Sequence, residues 1–86
     1  MKEFERYLKA LANRRRLAIL KYLKAKREAP VAEIADEINL SFKATSKHLA
    51  VLSAVDIVEK DQRSLQMFYR ISVQQKPVVR RVLDLL

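Results

Sequence analysis

The sequence of 86 residues contains no cysteine, no glycine and no tryptophan, and it has only one histidine and two prolines. Without cysteine, the chain forms no disulfide, no thiolate metal site and no cysteine nucleophile. Without glycine, it cannot form a glycine-rich phosphate-binding loop. Because the single histidine, His48, cannot complete a site for a soft metal, we expect no bound metal and no cofactor.

Groupings that indicate catalysis or membrane insertion are also missing. The Asp and Glu residues are scattered at helical spacing on polar faces, and no Ser, His and acid grouping stands out, so we expect no enzyme activity. No apolar run is long enough to span a bilayer, and the first residues do not resemble a signal peptide. We therefore expect a cytoplasmic protein without a membrane partner, folded as one domain over residues 1–86 with one small core.

Positive charge is what the chain has in excess. Eighteen Lys and Arg residues against ten Asp and Glu residues give a formal net charge of +8. Such a charge on a small domain favours an anionic partner, most often nucleic acid, although a charge that serves only solubility is an alternative. Most of the excess lies between Asn13 and Glu28, whereas the stretch from Val31 to Asp56 is net acidic. Binding to a polyanion would therefore also involve residues outside that stretch.

The stretch from Ser41 to Ala54, SFKATSKHLAVLSA, predicts a helix that is capped by the Ser41 hydroxyl. The side of this helix that points away from the core carries hydrogen-bond donors and no acidic group. Just upstream, VAEIADEI predicts a short helix, and Asn39 can adopt the positive φ of a tight turn. Two short helices joined in this way form a helix-turn-helix, and we interpret the second, Ser41–Ala54, as a DNA recognition helix. The alternative is an ordinary helical hairpin with a solvated polar face. The positions that recur at helical spacing and face a core are Thr45, Leu49 and Leu52.

The remaining segments predict a mainly α fold with a small β-hairpin wing, in the order α-α-α-α-β-β-α. Three arginines begin the second helix and oppose its dipole; either they hold phosphates, or Arg16 pairs with a carboxylate inside the fold. A hairpin tip at Asp61–Leu65 separates two predicted strands, Ile57–Lys60 and Gln66–Ile71. The predicted helices besides the recognition helix are Glu3–Ala12, Asn13 to about Lys26 with Asn13 as its cap, one that starts at Pro30, and Pro77–Leu86.

In this order, several stretches resemble the ArsR-type (arsenic-repressor) family of winged-helix transcriptional regulators. LKALANRRRLAIL resembles the opening of that family, VAEIADEINLSFKATSKHLAVLSAVDIVEK its helix-turn-helix and first wing strand, and MFYRI its second wing strand. The resemblance runs without gaps from about Leu8 to Ile71 and implies a homodimeric repressor that binds double-stranded DNA. The predicted DNA-binding residues lie at the start of the recognition helix and, as basic residues, in the wing. They are Ser41, Phe42, Lys43, Ala44, Ser46, Lys47, His48, Lys60, Arg63 and Arg70.

The chain departs from the family pattern at several positions. Phe42 stands where the family usually has Gln; it either contacts thymine methyl groups or packs into the core, and we favour the core. Arg14 replaces the usual proline, whereas Asp56 and Ser64 stand where glycine is common, and small polar residues tolerate such conformations. Metal-sensing members use cysteines on the third helix, or carboxylate and histidine clusters on the last, and this chain has neither. The resemblance therefore implies DNA binding without metal sensing.

Apolar stripes on the first and last helices predict a homodimer, because exposed stripes of this kind usually mark an interface. Packing these helices across a two-fold axis would bury both stripes and present two recognition helices to successive major grooves. The alternative is a last helix that folds back over its own core. The predicted interface residues are Phe4, Tyr7, Leu8, Leu11, Val78, Val79, Val82, Leu83 and Leu86.

The leading hypothesis is a sequence-specific DNA-binding regulator, a dimeric repressor without a metal site. One alternative is a winged-helix module that uses the same face to bind a protein partner. Another is a non-specific, chromatin-type nucleic-acid-binding protein, for which the basic second helix would supply the affinity.

Overall fold

The computed structural model describes residues 1–86 and contains five helices and a three-stranded antiparallel sheet. No helix exceeds 13 residues, and none has the length and apolar character that crossing a membrane requires. In chain order, the elements are α1 (Lys2–Leu11), α2 (Arg14–Lys26), β1 (Glu28–Pro30), α3 (Val31–Ile38), α4 (Phe42–Ala54), β2 (Val58–Arg63), β3 (Gln66–Ile71) and α5 (Pro77–Leu85).

Side-chain caps define the starts of α2 and α4. The Asn13 side-chain oxygen accepts hydrogen bonds from the backbone N–H groups of Arg15 and Arg16, at 2.9 and 3.1 Å. The Ser41 hydroxyl accepts from the backbone N–H of Ala44, at 3.1 Å. These bonds satisfy amide groups of the first turn that have no partner within the helix. Both predicted caps are confirmed.

Left-handed residues end α3 and α4 in the same way. Asn39 has φ 55° and ψ 51°, and the N–H of Leu40 donates to the Ala35 carbonyl at 3.0 Å. Asp56 has φ 58°, and the N–H of Ile57 likewise reaches back five residues at 3.0 Å. This is the Schellman arrangement, which glycine usually completes. Asn39 and Asp56 therefore take the place of glycine in a chain that has none, as the sequence predicted.

The sheet has the order β1-β3-β2, so that β3 is central and β1 forms one edge. The predicted hairpin is confirmed, although β2 runs on to Arg63 and leaves only Ser64 and Leu65 at the tip. Strand β1 was not predicted, because a segment of three residues shows no alternation. It forms through pairing with β3, where Ala29 lies opposite Tyr69. The predicted fold class is confirmed.

The core lies between the helices and the inner face of the sheet. Leu11, Val79 and Leu83 belong to this core and are buried within a single chain. Their predicted place on an exposed interface stripe was therefore wrong, because α5 packs against α1 and α2 of its own chain. On α1 and α5, or at their ends, the large apolar side chains that stay exposed are Met1, Phe4, Leu8 and Leu85.

The backbone of Arg27 generates a testable prediction. Arg27 follows α2 with φ 75° and ψ −49°, a conformation that costs a residue with a Cβ about 1–3 kcal/mol but that glycine adopts freely. Arg27→Gly should raise the free energy of unfolding by about 1 kcal/mol. The substitution removes the backbone strain of the folded state, but glycine also gives the unfolded chain more conformational freedom, which offsets part of the gain.

Urea denaturation at one fixed protein concentration measures the change. The matched control is Lys26→Gly, which removes the same charge from the last helical residue and should lower stability by up to about 1 kcal/mol. A loss of stability in Arg27→Gly would contradict the assignment of strain.

Candidate nucleic-acid interface

The first turns of α4 present a polar face without acidic groups. Ser41, Lys43 and Lys47 are exposed, whereas Ala44 and Ser46 are half-buried at the flank. Neither lysine forms an ion pair or a hydrogen bond within the chain, so both ammonium groups are available to an anion. On the opposite side, the predicted core positions Thr45, Leu49 and Leu52 are fully buried.

Phe42 lies at the surface. Its side chain is 60% exposed at the first helical position of α4, beside a small cleft that it shares with Leu65 of the wing tip. The interpretation that we favoured, packing into the core, was therefore wrong. Phe42 lies one turn before Thr45 and on the same side of α4, at the N-terminal end of the helix, where the ring extends beyond the buried core positions.

Arg16 joins three helices. Its Nε donates to the Ala10 carbonyl at 2.5 Å, and its Nη2 donates to the Lys9 carbonyl at 3.1 Å. Its Nη1 lies 3.2 Å from Nδ1 of His48 on α4. A cation at the last carbonyls of a helix satisfies free acceptors and stabilises the helix dipole. The alternative that Arg16 pairs with a carboxylate was wrong: its partners are the end of α1 and a histidine.

Lys24 has a similar role at the other end of α2. Its Nζ donates to the carbonyls of Leu83 and Leu86, at 2.8 and 3.2 Å, and so caps the end of α5. Two of the basic residues in α2 therefore hold neighbouring helices together. The charge of this segment overstates the number of cations that remain free for a nucleic acid.

The two arginines of the wing lie in a network of ion pairs. Arg63 contacts both carboxylate oxygens of Glu28, at 2.7 and 2.8 Å, and one of Asp61, at 2.9 Å, while its guanidinium lies 4.5 Å from the centre of the Phe68 ring. Hydrogen bonds from Arg63 hold the pKa of the Glu28 carboxyl below its ordinary value. Arg70 pairs with Glu59 at 2.8 Å.

The strand register explains why these groups meet. Opposite residues in an antiparallel pair share a face, so that Glu59 and Arg70, and Asp61 and Phe68, all lie on the outer face of the sheet. Arg63 and Arg70, which the sequence analysis placed among the DNA-binding residues, are therefore paired with carboxylates of their own chain on this outer face. Lys60 lies opposite the buried Tyr69 and has no ionic partner, so it is the wing cation that remains available.

The wing tip carries a residue that the sequence analysis missed. Leu65 is 96% exposed, and an isolated apolar residue in a predicted turn gives no sequence signal of its own. His48 was placed correctly on α4, but it is half-buried against Arg16 rather than free on the surface. No group of three or more His, Cys, Asp or Glu side chains is positioned to hold a metal ion.

Comparison with known proteins agrees with this geometry. A family model described as a helix-turn-helix domain matches residues 11–61. HlyU from Vibrio cholerae is similar in structure, with 34% identity, 99% of this chain and 85% of that chain covered, and a TM-score of 0.83. A winged helix-turn-helix DNA-binding domain from Mycobacterium bovis, described as homodimeric and as a possible ArsR-family regulator, has 33% identity, coverage of 98% and 74%, and a TM-score of 0.82.

This chain belongs to the ArsR-type family of winged helix-turn-helix transcriptional regulators. The predicted family is thereby confirmed, as is its general function, DNA-binding regulation of transcription. NolR from Sinorhizobium fredii is a further similar structure, with 31% identity, coverage of 98% and 80%, and a TM-score of 0.82. No curated protein matches the chain in sequence.

In this ArsR-type protein, the contact between Arg16 and His48 predicts a pH dependence. Burial, then the positive charges of Arg16 and Arg15, lower the pKa of His48 below its ordinary 6.5. Since the unfolded chain binds the proton more tightly, stability from neutral His48 is complete above pH 6.5 and is lost as the pH falls through the lower, folded-state pKa.

Because His48 is the only histidine, its ring resonances in an NMR titration are unambiguous. The midpoint should lie below pH 6.5, and Arg15→Gln should move it upwards by removing one nearby charge. Stability measured from pH 7 to pH 5 should fall less in His48→Gln than in the native chain. A midpoint at or above 6.5 would refute the assignment.

Proposed function

We propose that this ArsR-type protein is a dimeric repressor that binds a near-palindromic double-stranded DNA site in the cytoplasm and acts by occupying that site, without catalysis. The observation that carries the proposal is the acid-free face at the start of α4, where Lys43 and Lys47 are exposed and unpaired. Recognition helices contact base edges with their N-terminal residues. The cap Ser41 and the half-buried Ala44 and Ser46 lie beside these lysines.

Around that face, the structure supports a short electrostatic contact. Lys60 lies on the inner side of the wing, while Arg63 and Arg70 face away and are paired. His48 lies against Arg16, whose positive charge favours the neutral imidazole. We infer that phosphate binding relies on Lys43, Lys47 and Lys60, and that His48 positions α4.

Removing the two lysines of α4 tests the DNA contact. Lys43→Ala with Lys47→Ala should weaken binding and flatten the dependence of log affinity on log salt, by about 0.9 for each lost phosphate contact. The DNA is best taken from the region upstream of the gene, with random DNA as competitor, and binding is measured by fluorescence anisotropy over a series of salt concentrations.

The matched control is Lys26→Ala with Lys76→Ala, which removes two exposed lysines that lie outside α4 and the wing. This control should leave the salt slope unchanged. An unchanged slope in the α4 double variant would show that this face is not the contact. Equal competition by random DNA would favour a non-specific nucleic-acid-binding protein, and the absence of binding would favour a protein-interaction module.

A dimer is supported by the apolar side chains that α1 and α5 leave exposed. Phe4 and Leu8, one turn apart on α1, are 46% and 40% exposed, and a shallow groove of about 420 Å³ lies along them. On α5, Val78 and Val82 are half-buried and Leu85 is exposed. We propose that these two stripes form the interface, together with the half-buried Tyr7 and Leu86. The Mycobacterium bovis relative, described as homodimeric, agrees with this proposal.

Charge on the α1 stripe tests the interface. Phe4→Glu with Leu8→Glu should give a folded monomer in sedimentation equilibrium and weaken DNA binding, because one recognition helix would be lost from each complex. Substitutions at Val79 or Leu83 would instead disrupt the core of a single chain. The control, Val73→Glu, places a charge at an exposed apolar residue between β3 and α5 and should stay dimeric. A native protein that is monomeric at micromolar concentration would overturn the proposal.

A further inference from the structure

A large apolar side chain lies at the N-terminal edge of the proposed DNA-binding face. Phe42 occupies the first position of α4, next to Ser41 and Lys43, and is 60% exposed. Contact between a phenyl ring and water is unfavourable in proportion to the apolar area that it exposes. A partner that covers the ring would remove that cost, and the groups beside the ring suit a polyanion.

The ring cannot withdraw into the protein without rearrangement. The cleft beside it, between the start of α3 and the wing tip, measures about 80 Å³, whereas a protein cavity that accepts benzene measures about 150 Å³. Leu65 and Met67 line the other side of this cleft. The apolar surface of Phe42 is therefore a fixed part of the face and continues onto the wing tip.

The surroundings of the ring are basic or neutral. Lys43 and Lys47 follow it on α4, and none of the residues that line the cleft beside it is charged. The wing arginines face the other side of the sheet. An apolar group surrounded in this way fits a partner that has negative charge at its edges and an apolar group between them.

DNA has one such feature in its major groove, the C5-methyl group of thymine, which lies between the two phosphate backbones. We propose that Phe42 contacts this methyl group and that the protein selects thymine at one position of each half-site through an apolar contact. The inference rests on the proposed function, because it requires α4 to enter the major groove. Phe42 is then a specificity-determining residue that needs no hydrogen bond to a base.

Replacing thymine by uracil removes only the methyl group and therefore tests the contact directly. Sites are first selected from random DNA with the native protein, and each thymine of one half-site is then replaced by uracil in turn. At one position, uracil should weaken native binding about fourfold, the effect of losing one buried methyl group. Phe42→Ala should bind the thymine and uracil sites equally.

The matched control is Val51→Ala. Val51 is an exposed apolar residue nine positions further along α4, which places it on the opposite face of the helix. This variant should keep the fourfold difference. Phe42→Gln, which replaces the ring by a polar side chain, provides a second variant and should also lose the difference. Thermal unfolding checks that all three variants fold.

The possible outcomes separate the inference from the proposed function. If the native protein selects no sequence from random DNA, the proposed function fails and the inference fails with it. If the native protein selects a site but no uracil substitution weakens binding, only the contact of Phe42 is refuted. The same holds if uracil weakens the native protein and Phe42→Ala to the same extent.

Discussion

The arrangement of the helices depends on the contacts that the guanidinium of Arg16 makes. Its hydrogen bonds to the carbonyls of Ala10 and Lys9 fix the end of α1, and its contact with His48 fixes α4 relative to α2. The helix that carries the proposed dimer stripe and the helix that carries the proposed DNA contacts are therefore joined through one side chain. Lys24 joins α2 to α5 by the same kind of bond. Helix α2 thus positions both ends of the molecule.

Charge in this protein has two separate uses. Arg16, Lys24, Arg63 and Arg70 bind carbonyls or carboxylates within the chain and stabilise its tertiary structure. The other exposed lysines and arginines remain for an anionic partner, and only some of them lie on or near the proposed DNA-binding face. The total charge therefore indicates an anionic partner, but it does not show which cations would meet it.

Local signals made most of the fold predictable. Side-chain caps and left-handed residues depend on a few neighbouring residues, and so Asn13, Asn39 and Ser41 were identified from the sequence. Strand β1 and the ion pair between Arg63 and Glu28 depend on residues far apart in the chain, so that no local sequence pattern predicts them. The predictions of burial were wrong in both directions. Phe42 was expected in the core and is exposed, while Val79 was expected at an interface and is buried within its own chain. Hydrophobicity alone does not show which side of a helix the rest of the fold will cover.

The ion pairs on the outer face of the sheet also leave that face with a different charge from the first turns of α4. That face carries three carboxylates, Glu28, Glu59 and Asp61, against two arginines, whereas α4, on the other side of the core, carries two lysines and no acidic residue. Close to a polyanion, contact through the first turns of α4 is therefore electrostatically more favourable than contact through the outer face of the sheet. A larger share of lasting encounters then begins in the orientation that can read a sequence. This bias would fade as salt shortens the screening length.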